Sequence, residues 1–203
     1  MGAIATAGVD GRRARSARTR EGIVDATLTL LDDGDLKPTA AAIASRAGLS
    51  VRSIFQHFGD LEDLFVAVSD RQTNRVAQLY AGVSYDGDVA QRVRTFASYR
   101  ANLYETIAPI RRAAMLQEPF SRIVADRLAL TRSLHRFDLE RAFGPELEAA
   151  REEGDPVLME ALVAVSTFGV WDEMRSHAQL DVPAATAALE RAVGALVRAG
   201  TAG

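Results

Sequence analysis

Cysteine is absent from the 203 residues. Disulfide staples and thiolate metal sites are thereby excluded, and a reducing compartment such as the cytoplasm is expected. Long apolar stretches are missing too. The longest uncharged run, Ala161–Trp171, would span about 16 Å as a helix, roughly half of a bilayer core of about 30 Å, so no membrane partner is expected. Residues 1–9 (MGAIATAGV) carry no basic residue and the arginines follow them, the reverse of a secretory signal. There is no nucleophile elbow, phosphate loop or zinc spacing, so no catalytic residue, cofactor or metal site is expected. Glu173 and His177 share a helix face at i, i+4; with no third ligand in reach they read as a solvated pair.

Proline is confined to positions 38, 109, 119, 145, 156 and 183, and these read as helix boundaries. Between them run segments of helical period, with no convincing strand, hairpin dipeptide or internal repeat. With 48% hydrophobic residues the chain is globular, and the class is all-α. The periodicity predicts a first helix over about Arg18–Asp32, with Ile23, Ala26, Thr27, Leu30 and Leu31 on one face. Thr39 caps a short second helix ending near Gly48, and Ser50 caps a third over Val51–Phe58. A fourth runs from Leu61 to about Leu79, with Leu64, Phe65 and Val68 inward. The segment GVSYDGD at 82–88 is the expected boundary between a head over 18–81 and a helical bundle over 88–200. In the bundle, helices are expected over 89–108, from Pro109 to about Gln117, over 119–143 closed by Gly144-Pro145, over 156–180 and over 183–199.

The net charge is −3, which alone argues against a nucleic-acid partner, but its distribution does not. Residues 1–58 hold eight Lys/Arg against six Asp/Glu, and residues 12–20 hold five arginines and no acid. Residues 1–17 therefore read as a flexible basic arm ahead of the head, either a footprint for phosphate backbone or a solvated tail. Residues 39–58 read TAAAIASRAGLSVRSIFQHF. Ala44 is small where two short helices would cross, and Gly48 falls where the turn needs a left-handed backbone. Ile43, Ala47, Leu49, Ile54 and Phe58 would pack both helices on Ile23 and Leu30. That is either an ordinary αα-hairpin or a helix-turn-helix presenting its second helix to a DNA major groove.

The core T-x-x-x-I-A-x-x-A-G-L-S and the tail F-x-H-F-G-D-L-E-D-L-F, within residues 18–77, resemble the DNA-binding head of TetR-type transcriptional regulators. The resemblance implies a homodimer whose C-terminal bundle dimerises and binds an inducer. It also implies roles on the head. Val51, Arg52 and Gln56 would face base edges, where arginine pairs bidentately with guanine and glutamine with adenine. Ser50, Ser53, Phe55 and His57 would approach the backbone, with Thr39 and Arg46 as phosphate contacts. Three positions depart from the family pattern. Phe55 stands for a tyrosine, Leu61 for a lysine, and Ala42 for an acid that would complete a capping box with Thr39.

In the bundle, Val93, Phe96, Leu103 and Ile107 form an inward stripe that includes Arg100. A buried arginine needs an anionic partner: a ligand carboxylate or phosphate, an internal acid such as Asp138 or Asp172, or else escape to water. Tyr99, Arg100, Leu103, Tyr104, Met115, Phe120, His135, Phe137, Phe168 and Trp171 are the candidates to line an effector pocket, or else plain core. Such a pocket would take a mostly apolar molecule with an anionic group near Arg100. The segment 156–180 is apolar almost all round and the helix 183–199 carries small residues. Both suit a homodimer interface, though both could instead be central in a monomer. The resulting expectation is a cytoplasmic regulator, more a repressor than an activator, that leaves a pseudo-palindromic double-stranded operator when a small molecule binds. The alternative is a helical adaptor whose head holds a protein partner.

Overall fold

A computed structural model describes residues 4–200, with only the backbone described at residues 4–10 and Arg12. Among the described residues every regular element is helical: α1 (Ile4–Asp32), α2 (Ala40–Ala47), α3 (Val51–His57), α4 (Leu61–Tyr80), α5 (Val89–Gln117), α6 (Arg122–Glu152), α7 (Leu158–Val165), α8 (Phe168–Asp172), a π-helical turn (Glu173–His177) and α9 (Val182–Ala199). The fold is all-α. No helix among the described residues is long and apolar enough to cross a membrane.

The chain forms two compact units, the first from Met1–Arg75 with Pro109–Ala125, the second from Val76–Ala108 with Asp126–Gly203. This division differs from the boundary expected at 82–88. The reason is that Pro109 does not end a helix: α5 runs through it to Gln117. A proline costs one ladder hydrogen bond and strains the preceding turn, and the rest of this 29-residue helix outweighs that. Its last turns and the start of α6 therefore belong with the head.

Within the first unit, α1 begins at Ile4 rather than near Arg18. The expected arm is helical over its described part, and residues 1–3 lie outside the described residues. Alanine and arginine are strong helix formers, which carries the helix across Gly8 and Gly11. The expected core of α1 is buried: Ile23, Ala26, Thr27, Leu30 and Leu31 turn inward, with Ile43, Ile54, Phe58, Leu64, Phe65 and Val68 buried in α2 to α4. The Thr39 side chain accepts from the Ala42 N–H, and Ser50 does the same for Ser53. Gly48 closes α2 at φ +66.

A Cβ at Gly48 would meet no heavy atom within 4 Å, so Gly48→Ala carries only the backbone penalty of a left-handed residue. Chemical denaturation should show a loss of about 1–2 kcal/mol, and Gly48→Asn should lose less. Equal stability of Gly48→Ala and the parent would refute the assignment of strain to this turn.

In the second unit α6 departs from helical geometry at Phe143 (φ −132, ψ 23), beside the Gly144-Pro145 stop read from the sequence. The expected single helix over 156–180 is instead α7, α8 and the π-turn. It breaks at Ser166, and Thr167 caps α8 by accepting from the Val170 N–H. The segment is also less uniformly buried than its composition suggests: Leu158, Leu162, Phe168 and Trp171 are core, whereas Val157 and Val170 are exposed. Within α9, Ala185, Leu189, Val193, Gly194 and Val197 are buried.

Candidate nucleic-acid interface

α3 is held by one apolar residue within the helix and one just after it. Ile54 is fully buried and Phe58 nearly so, which fixes the rotation of the helix. Residues out of register with them must then face outward, and Val51, Arg52, Phe55 and Gln56 are exposed while Ser53 and His57 are half-buried. Arg52 and Gln56 lie one turn apart and project together.

The far end of α3 is clamped from α1. Arg20 Nη1 donates to the His57 carbonyl at 2.8 Å, and its guanidinium stacks on the Phe58 ring at 4.1 Å. This residue went unrecognised in the sequence, where it reads as one more arginine of the basic run. Its one signal is that it is the run's last member, next to the first buried turn of α1. Two further ion pairs tie the unit at its surface, Arg46–Asp33 at 2.7 Å and Arg71–Asp25 at 2.9 Å. Arg46 thus already has a partner. Both groups are well exposed, so this pair is worth little in water and can be exchanged for a phosphate. Thr39 and Ser50 spend their oxygen lone pairs on helix caps, which leaves each hydroxyl proton able to donate to an anion.

The other set of candidate residues falls apart in part. Tyr99, Arg100, Leu103, Tyr104, His135, Phe168 and Trp171 are buried in the second unit, whereas Met115, Phe120 and Phe137 are exposed, Phe120 to 89%. Met115 and Phe120 belong to the first unit altogether, a consequence of α5 continuing through Pro109. Phe137 fails by helical period: α6 turns His135, Asp138, Leu139 and Ala142 inward, and position 137 lies on the opposite side.

Arg100 finds its anion inside the protein. Its Nη2 lies 3.0 Å from Asp138 Oδ2, both side chains being at least 95% buried. Of the partners left open for Arg100 the internal acid holds: Asp138, and not a ligand anion, supplies the charge. Aromatic rings surround the guanidinium, Phe96 at 5.1 Å, Tyr99 at 5.7 Å and Tyr104 at 5.8 Å. The Tyr85 hydroxyl donates to Asp138 Oδ1 at 2.9 Å, and Arg141 lies over Tyr80 and Tyr85. Burial pushes the Asp138 carboxyl up, against the lowering pull of Arg100, Tyr85 and Arg141. The same burial, with the Asp138 charge, pushes the Tyr85 and Tyr99 hydroxyls up. All four tyrosines of the chain lie in this unit, and Tyr80 and Tyr85 were missed because they sit beside and within the segment read as a linker.

A second polar chain closes the break after α7. The Ser166 hydroxyl donates to Leu162 O at 2.5 Å and meets His135 Nε2 at 2.9 Å, so the imidazole donates from Nε2. Tyr104 donates to the Ser166 carbonyl at 2.5 Å. These bonds satisfy polar groups that a broken helix would otherwise bury unpaired. Glu173 and His177 are 3.1 Å apart and 70% exposed, and no cluster of three or more His, Asp or Glu that could hold a metal occurs among the described residues.

Residues 23–68 match the family described as bacterial regulatory proteins, tetR family. The head is a tetR-family head. The match covers α1 from its first buried residue, both helices of the turn and the start of α4. A transcriptional regulator from Rhodococcus sp. Rha1 shares the fold of the chain with a TM-score of 0.66 at 17% identity, over 91% of this chain and 96% of that one. A protein from Mesorhizobium loti MAFF303099 described as a TetR-family candidate aligns over 93% of this chain and 97% of its own at 21% identity, with a TM-score of 0.47. No curated protein matches the sequence. Within the tetR-type head the departures read from the sequence take physical form. Phe55 is 46% exposed, presenting a ring without a hydroxyl, and the half-buried Leu61 opens α4 without a charge.

Proposed function

We propose that the chain is a sequence-specific transcriptional repressor that binds a pseudo-palindromic duplex as a homodimer and releases it when a small molecule enters the second unit. The observation that carries the DNA reading is the capped turn that buries Ile54 and leaves Arg52 and Gln56 together on the exposed side of α3. The resemblance to tetR-type heads and the regulator of shared fold support it. Selection of bound duplexes from a random pool tests it: a two-fold-related consensus is expected, and no enrichment overturns it. The adaptor reading draws on the exposed Val51 and Phe55, which suit an apolar protein partner. Salt-dependent duplex binding would exclude that reading.

Release by an effector would work by differential affinity for two placements of the heads. With Arg100 neutralised internally, the effector class narrows to molecules recognised by apolar and aromatic surface, and an anionic group loses its motive. Dimerisation is assigned to 156–180 and 183–199. The exposed Val157 and Val170 and the exposed Ala184, Ala187 and Ala195 would supply its apolar surface. Light scattering at micromolar protein should give twice the 21.9 kDa of the chain, and a monomer would end the claim. Val157→Glu should shift the species toward monomer without lowering the melting temperature. Leu196 is a poorer probe, being half-buried against the core of its own unit.

A further inference from the structure

The five arginines of residues 12–20 are not equivalent in the fold. Arg20 is committed to the end of α3. Arg15 and Arg18 turn another way, and with Thr19, Gly22, Ala47 and Leu49 they line an open groove between α1 and the α2–α3 turn. The positions 15, 18, 19 and 22 are one face of a helix. Gly22 leaves that face bare, since even a Cβ there would meet nothing within 4 Å. Leu49 precedes Ser50, the cap of α3, so the groove opens beside the start of the exposed helix.

Its charge is uncompensated. Residues 11–20 contain no acid, and neither Arg15 nor Arg18 forms a salt bridge among the described residues. On α1, Asp25 pairs with Arg71, and Glu21, the first acid after the run, forms no salt bridge with either arginine among the described residues. Guanidinium groups suit phosphate oxygens through paired N–H donors. We propose that this groove seats the DNA backbone, with Arg15 and Arg18 each neutralising one phosphate of a strand whose bases meet α3. The inference rests on the DNA-binding reading above and adds to it a second, sequence-independent contact surface.

The test uses the full chain, a duplex recovered by selection and an unrelated duplex, titrated between 50 and 200 mM KCl. In the double variant Arg15→Ala/Arg18→Ala, affinity for both duplexes should fall in parallel. The slope of log K against log salt should flatten by about 3.6, at about 0.9 per phosphate and two phosphates for each protomer of the dimer. Over that fourfold salt range the wild type should then lose about 150-fold more affinity than the variant. Arg13→Ala removes an exposed arginine roughly 200° around the helix from Arg15 and should leave both duplex affinities near the wild type. Equal flattening by Arg13→Ala would show a diffuse basic helix and overturn the groove, as would an unchanged slope in the double variant. A wild type that binds no duplex would instead overturn the DNA reading itself. Both arginines are exposed, so unchanged thermal unfolding is expected of every variant.

Discussion

Arg52→Ala should lower affinity for the selected duplex by roughly 5- to 150-fold per half-site, the equivalent of about 1–3 kcal/mol for one bidentate base contact. Affinity for unrelated duplex should fall far less, because that affinity comes from phosphates. The position of Arg52 motivates the asymmetry. It is exposed on α3 one turn before Gln56, on a helix whose rotation is set by Ile54 and whose end is pinned by Arg20. Selection repeated with the variant should relax the consensus at one position in each half-site, mirrored about the two-fold axis. Parallel losses on both duplexes would make Arg52 a phosphate contact. No loss on either would mean that α3 does not enter the groove, and the assignment of this helix would fall.

The turn was legible in the sequence because its determinants are local. A cap two or three residues from the N–H it serves, and a glycine at the one left-handed position, need no tertiary context, and Thr39, Gly48 and Ser50 do what their spacing implies. The basic run was legible as charge but not as structure. Arg20 reaches His57, 37 residues away, and nothing in the local pattern separates it from Arg15 or Arg18. Pro109 misled for a different reason. Proline weakens a helix by a fixed amount, and whether a boundary results depends on how much helix lies on either side. Phe137 is legible as an outward position: the period through His135, Asp138, Leu139 and Ala142 puts it away from the core, whatever its aromatic character suggests. The two-unit division was out of reach, since it depends on where the far turns of α5 and the start of α6 pack.

Asp138→Leu should destabilise the second unit by about 3–5 kcal/mol, as expected when one member of a buried ion pair is removed and its partner stays charged. Arg100 cannot shed its proton within the working range of a protein, and its side chain, 5% exposed, has no route to water short of local unfolding. The remaining groups do not compensate. The His135 carbonyl is 3.4 Å from Arg100 Nη2, a long contact, and the surrounding rings offer only their π faces. The pair itself is a poor source of net stability: burial raises the Asp138 carboxyl despite Arg100 beside it, so desolvation outweighs attraction. Replacing both members, Arg100→Met with Asp138→Leu, should therefore recover part of the loss, because two apolar side chains leave no charge stranded. The Tyr85 hydroxyl, which donates to Asp138, would then need water, and its loss sets the remaining deficit at about 1–3 kcal/mol. Urea unfolding of the two single variants and the double variant measures this directly as a coupling energy. A double variant as unstable as the sum of the singles would show that the two residues do not act on each other, and the ion pair would lose its place at the centre of this unit.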